Sequence, residues 1–276
     1  MKSIVSALLL LVLSLPALAG GRASPWVDFR EARVRVLLAE PKAGETFLQG
    51  GVEIRLAPEY KTYWRSPGDS GVPPQADFSG SRGARGFELL FPFPKRFDDG
   101  AGGEAWGYKQ DVILPFRAER VANEPVQLRL KLDFAVCGTM CIPLQAQFES
   151  LSNVTLEPEW KPALARAHGR VPRLLDATET AERIRLIEIG AGAKPEIVIE
   201  FRVDEAEKEF ELFPEGRAYF SVLSSERIAP DRARARLKAE LPPGQANPLG
   251  TLRLTFGSKK KAMDASIRLD ERRPAP

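Results

Sequence analysis

This chain is short of the residues that most often carry chemistry. It has a single histidine, His168, and two cysteines, Cys137 and Cys141, in 276 residues. A closed zinc site wants four Cys or His ligands, so a site here would need a carboxylate as well, and none is expected. A Cys–His nucleophile pair would need His168 to fold back onto the cysteines. A charge excess is also lacking. Lys and Arg total 40 against 37 Asp and Glu, a formal net charge of +3. That balance gives no argument for nucleic acid, and the run Lys259-Lys260-Lys261 reads as a solvated turn. After Gly20 no apolar stretch approaches the length of a membrane helix.

What is present begins with "MKSIVSALLLLVLSLPALAG". Lys2, the apolar run Ile4–Leu15, Pro16 and Ala17-Leu18-Ala19 have the pattern of a secretory signal peptide over residues 1–19. The run is too short to span a bilayer alone, and no cysteine follows it to take a lipid. The expectation is an exported protein, soluble after cleavage, with both thiols in a compartment where disulfides persist.

Period-two alternation dominates the rest. In "VQLRLKLDFAV", Val126, Leu128, Leu130, Leu132, Phe134 and Val136 alternate with Gln127, Arg129, Lys131, Asp133 and Ala135. This predicts a strand with one buried and one solvated face. "RVRVLLA" and "VEIRLA" repeat the pattern, and the prolines of "FELLFPF" and "DVILPF" suit edges or strand ends. Loops rich in Gly, Pro, Ser and Asp separate these runs. A break follows at 157–183, with helices expected across Pro162–Ala167 and Ala177–Arg183, and then alternation resumes. The fold class expected is all-β, with two consecutive immunoglobulin-like sandwiches over 25–156 and 184–272. A linker cut is expected to release two separately folded pieces.

The cysteines stand at the end of the clearest strand, in "DFAVCGTMCIPLQ". Along a continuing strand they would lie about 13 Å apart, whereas a disulfide needs Cα atoms within roughly 7 Å. A disulfide therefore demands a sharp turn at Gly138-Thr139-Met140, to which Gly138 is suited. Strand parity puts Cys137 on the polar side and points to an accessible sulfur. A ring this short stabilises by only about 2 kcal/mol, which makes a pure staple a poor reason for it. Three readings stay open: a redox couple, a structural clip in a non-catalytic binding module, and a copper(I) site of Cys137, Cys141 and Met140.

"YWRSPGDSGVPP" (Tyr63–Pro74), "FDD" (Phe97–Asp99), "GYKQDVILP" (Gly107–Pro115) and "LKLDFAVCGTMCIP" (Leu130–Pro143) occur in this order. Together they resemble the periplasmic N-terminal domain of DsbD-type thiol-disulfide interchange reductases, especially the Scs branch. The resemblance implies a periplasmic protein. In such a protein the Cys137/Cys141 pair takes electrons from a membrane-embedded donor and gives them to thioredoxin-like thiol oxidoreductases, without a cofactor. It implies that Cys141 faces the partner and Cys137 resolves. It also implies a cap over the sulfurs near Phe97–Trp106, with Phe97 or Trp106 as the cover and Asp98, Asp99 or Tyr108 as acid–base partners. Two departures stand out. The best-known members separate their cysteines more widely, and this chain has neither the family's membrane helices nor any C-x-x-C.

Overall fold

The computed structural model describes residues 21–39, 44–100, 102–122, 124–149, 160–192, 194–241 and 249–269. The segment 1–19 read as a signal peptide lies outside the described residues. Among the described residues twelve strands precede the first helix: β1 (Gly21–Ala23), β2 (Val27–Asp28), β3 (Ala32–Ala39), β4 (Phe47–Leu56), β5 (Lys61–Gly68), β6 (Gln75–Asp77), β7 (Ala84–Leu89), β8 (Lys95–Asp98), β9 (Glu104–Tyr108), β10 (Val112–Arg120), β11 (Leu130–Cys137) and β12 (Cys141–Phe148). They form two facing sheets. One runs β1-β3-β4-β10-β7 with β2 beside β3, and the other runs β12-β11-β5-β9-β8 with β6 beside β11.

After α1 (Trp160–His168), β13 (Arg173–Leu174) and α2 (Ala177–Arg183) come β14 (Ile184–Ile189), β15 (Glu196–Arg202), β16 (Glu211–Gly216), β17 (Tyr219–Ala229), β18 (Arg232–Glu240), β19 (Thr251–Gly257) and β20 (Ala262–Arg268). These build a second sandwich from sheets β13-β20-β19-β16 and β14-β15-β18-β17. The fold class is the one the alternation predicts, two β-sandwiches in series.

The alternation works as a side-chain sorter. In β11, Leu130, Leu132, Phe134 and Val136 are buried while Lys131 faces water. In β18, Ala233, Ala235, Leu237 and Ala239 are buried while Arg232, Arg234 and Arg236 are exposed. Leu→Ala-type losses at such positions typically cost about 2–5 kcal/mol, so each buried row fixes its strand's register. Pro115 departs from expectation, because β10 is an interior strand between β4 and β7. Its carbonyl accepts from Leu90 N (2.7 Å), just past the end of β7. The N of a strand residue faces the same side as its O, so the donor that proline lacks is the one that would have paired with Leu90 O, and the loss falls just past the end of β7 rather than inside its ladder.

The connection between the sandwiches is split between them. Helix α1 packs Trp160, Leu164 and Ala167 onto Leu37 and Ile113 of the β3–β10 sheet. Gly51 permits this approach: a Cβ there would lie 2.6 Å from Ile113 and 2.8 Å from the Leu164 methyl. Strand β13 instead extends the second sandwich by pairing with β20. The sandwiches also share a core. Phe213 of β16 is fully buried among Trp64 (5.6 Å), Phe93 (5.4 Å) and Trp106 (5.3 Å) of the first sandwich. Arg65 of β5 forks onto Glu215 (2.7 Å) and reaches Asp264 (2.9 Å) and Thr255 (2.8 Å). The two sandwiches therefore meet through Phe213 and Arg65 as well as through the segment that joins them.

Candidate functional site

The strand carrying Phe134 and Val136 ends at Cys137, and the chain reverses over three residues into β12. Cys137 and Cys141 face each other directly in the antiparallel register. Their Cα atoms are 4.1 Å apart and their sulfurs are joined in a disulfide. Gly138 N donates to Met140 O (3.1 Å), closing the turn, and Gly138 achieves it without a positive φ. Pro143 follows in β12, an edge strand, where a missing N–H is tolerated.

The two sulfurs are unequal. Cys141 is exposed, while Cys137 is 1% exposed. Parity does put Cys137 on the face opposite Phe134 and Val136, yet that face is covered here. Tyr63, Phe97, Ala105, Ala135 and Cys137 form a small buried cluster of their own. The expected accessible sulfur is therefore Cys141 and not Cys137.

Phe97 comes from the β8–β9 hairpin, which lies at the edge of the cysteine sheet. Its ring carries the Lys61 ammonium at 5.0 Å and the Lys109 ammonium at 5.2 Å, cation–π contacts that favour the ring staying in place. Asp98 and Asp99 build the hairpin turn. Asp98 Oδ1 accepts from Gly100 N (2.6 Å), and Asp99 Oδ1 accepts from Gly103 N (2.9 Å).

Sequence reasoning missed Tyr63. Its hydroxyl donates to Cys137 Sγ (2.7 Å) and lies 3.3 Å from Cys141 Sγ. Burial raises its pKa, and the Asp99 charge raises it further. The phenol thus stays protonated, a donor aimed at the sulfurs. Gly71 presses on the other side of it, since a Cβ there would lie 2.2 Å from the ring. The "PGDSG" turn is thereby a wall for this tyrosine. Tyr63 opens the motif quoted above, but nothing in its spacing from Cys137 betrays the contact.

Two expected residues lie elsewhere. Trp106 points into the main core against Phe213, so it does not cover the sulfurs. Tyr108 is buried and donates to Pro92 O (2.7 Å), and burial holds its hydroxyl well above the ordinary range. Neither is placed to exchange protons with the cysteines. His168 sits on α1, against the opposite sheet, so a Cys–His pair does not form. Among the described residues no group of three or more His, Cys, Asp or Glu could hold a metal ion. No helix there is long and apolar enough to cross a membrane.

Comparison with known structures matches the N-terminal periplasmic domain of ScsB from Proteus mirabilis. The TM-score is 0.70 and the identity 17%, covering 90% of this chain and 98% of that one. At that identity the likeness speaks for the fold, and it extends over both sandwiches. A conserved domain protein from Bacillus anthracis aligns at 8% identity with a TM-score of 0.22, which carries no argument. No curated protein matches. Residues 34–153, which include the cysteine hairpin, Tyr63 and Phe97, match the family described as thiol:disulfide interchange protein DsbD, N-terminal.

Proposed function

We propose that this protein passes reducing equivalents through the Cys137/Cys141 pair, from a membrane-embedded thiol donor to thioredoxin-like oxidoreductases in the periplasm. The observation that supports this best is the asymmetry of the disulfide: Cys141 is open to a partner, and Cys137 is buried beside a phenol donor.

The exchange follows from that asymmetry. A donor thiolate attacks Cys141 Sγ, the S–S bond breaks, and the electron pair leaves on Cys137 Sγ. Tyr63 hydrogen-bonds the departing thiolate, a charge-assisted bond roughly twice as strong as a neutral one. The donor's second thiol then attacks the mixed disulfide, releases Cys141 and leaves the donor oxidised. In the second half, the Cys141 thiolate attacks the acceptor's disulfide and expels an acceptor thiolate. Cys137 resolves the mixed disulfide by attacking Cys141, so the acceptor departs with two thiols and the ring is restored. Two electrons and two protons cross in each cycle. Asp99 acts here through Tyr63, and Phe97 keeps water and stray thiols from Cys137.

Trapping tests the assignment. Cys137→Ser, mixed with an oxidised thioredoxin-like protein, should accumulate a covalent adduct through Cys141, and Cys141→Ser should trap little. Each variant should lose at most about 2 kcal/mol of stability, so both should fold. Equal trapping by the two variants would remove the roles. No adduct from either, with both unstable, would favour a structural clip. Tight copper(I) uptake by the reduced pair would favour metal handling.

A further inference from the structure

The cap hairpin borders a groove of about 280 Å³ between the β8–β9 hairpin, α1 and the turn before β20. Its floor is apolar, from Phe93, Val112, Ile113, Ala163 and Ala167. Five cations ring it: Lys95, Lys109, Arg166, Arg170 and Lys259. None of the five forms an ion pair among the described residues, whereas their neighbours do. Arg96 pairs with Glu104 and Glu211, Lys260 with Glu207 and Lys261 with Asp204. Carboxylates in the groove are already engaged. Glu53 is held by Arg35 and Arg55, and Asp111 accepts from Leu56 N (3.1 Å). Glu211, whose charge reaches Lys95 and Lys259, is held by Arg96.

Lys259 shows the consequence. Burial, then the nearness of Lys95 and Arg170, pushes its pKa down. Like charges have been brought together, and the carboxylate that reaches them, Glu211, is shared with Arg96, an arrangement that an incoming anion would relieve. The groove is also continuous with the redox site, because the Lys109 that lines it stacks on Phe97, and Phe97 covers Cys137.

We infer that this groove docks an acidic segment with interspersed apolar side chains, carried by the protein that exchanges disulfides with Cys141. The inference rests on the redox reading for the identity of the partner. The apolar floor favours a peptide over a bare inorganic anion, and the ring of cations favours carboxylates on it. The five side chains are exposed, so each contact is weak alone, and the set acts together, screened by salt. Such a surface raises the encounter rate and sets the docking register beside the cap.

The test uses the full chain and a fluorescein-labelled synthetic peptide alternating Glu and Leu, with a Gln and Leu counterpart. Fluorescence anisotropy should show the acidic peptide binding, weakened about tenfold between about 50 and about 300 mM salt. The triple variant Lys95→Gln/Arg170→Gln/Lys259→Gln should lose about tenfold in affinity. Lys109→Gln should weaken it to a smaller extent, and the Gln peptide should not bind. Reduction of Cys137/Cys141 by dithiothreitol should be the same in the triple variant as in the native chain. Equal binding of the two peptides, or unchanged affinity in the triple variant, would overturn the inference. Binding of inorganic phosphate without the peptide would overturn it too, in favour of a small-ion site. Peptide binding does not depend on the sulfurs, so failed trapping with intact peptide binding removes the redox reading alone. Intact trapping with no peptide binding removes this inference alone.

Discussion

The Tyr63 hydroxyl donates to the sulfur of Cys137 from 2.7 Å, across 74 residues of chain. In the reduced protein the same donor is expected to stabilise a Cys137 thiolate. A hydrogen bond to a charged group contributes about 1.5–3 kcal/mol, which is one pKa unit or somewhat more. Tyr63→Phe keeps the ring that packs on Gly71 and removes only the donor. Its Cys137 thiol should titrate about one unit higher, and exchange at neutral pH should slow about tenfold. Thiolate absorbance of the reduced protein against pH reads the first effect, and stopped-flow oxidation reads the second. An unchanged titration curve would make Tyr63 a packing residue.

Asp69 ties the cap to the second sandwich. One of its oxygens accepts from Glu104 N (2.8 Å) at the start of β9, and the other accepts from the Tyr219 hydroxyl of β17. Burial and the Asp69 bond hold Tyr219 well above the ordinary phenol range, so it remains a donor. Arg96 of β8 adds a bond to Leu212 O (2.9 Å). The hairpin bearing Phe97 is thus held from outside its own sheet. Tyr219→Phe combined with Arg96→Met should free it at a cost of about 1–3 kcal/mol. Amides of residues 95–108 should then exchange faster, and a bulky thiol donor should reduce the pair faster. Unaltered amide exchange in that segment would show that the cap is held by Phe97 alone.

The strands were legible because alternation is local. Leu130 to Val136 and Ala233 to Ala239 announce their buried faces within a few residues. The turn at Gly138–Met140 was legible as a necessity of geometry. What periodicity cannot carry is a contact between distant segments. Parity placed Cys137 on the polar side, but Tyr63 and Phe97 arrive from two other strands to cover it. Thr62 Oγ1 donates to Ala135 O (2.8 Å), which locks that cover in place. "KEFELF" likewise reads as an ordinary strand, and nothing local tells that Phe213 belongs to the core of the other sandwich. Trp160, Leu164 and Ala167 lie at helical spacing and form the buried face of α1, whose expected span began only at Pro162. Its docking place depends on Gly51, far away in sequence.

Phe213 makes a further expectation concrete. Phe→Ala in a packed core typically costs about 3–5 kcal/mol, and here the cavity would open between Trp64, Phe93 and Trp106. The native chain should unfold in one calorimetric transition, because the two sandwiches share this plug and the Arg65–Glu215 fork. Phe213→Ala should lower the melting temperature and split the endotherm into two. Two transitions already in the native chain, both unmoved by the substitution, would show that the shared core contributes no coupling.

His168 supplies the last expectation, and its solitude makes it clean. It ends α1 with its Nε2 buried and no hydrogen-bond partner for that atom, and burial lowers its pKa from the ordinary 6.5. The helix C-terminus would favour the imidazolium, so the lowering means that desolvation wins. The sign follows from proton counting. Above the ordinary value both states are neutral and the residue is indifferent to pH. As pH falls from there towards the depressed folded value, the unfolded chain takes up the proton first, and stability is lost. The docking of α1 should therefore weaken between about pH 7 and about pH 5. His168→Gln should show a smaller fall in melting temperature across that window than the native chain. Carboxylates titrate in both proteins, so the difference between the two curves isolates the imidazole. Parallel curves would mean that His168 reaches water in the folded protein and that its burial has no energetic consequence.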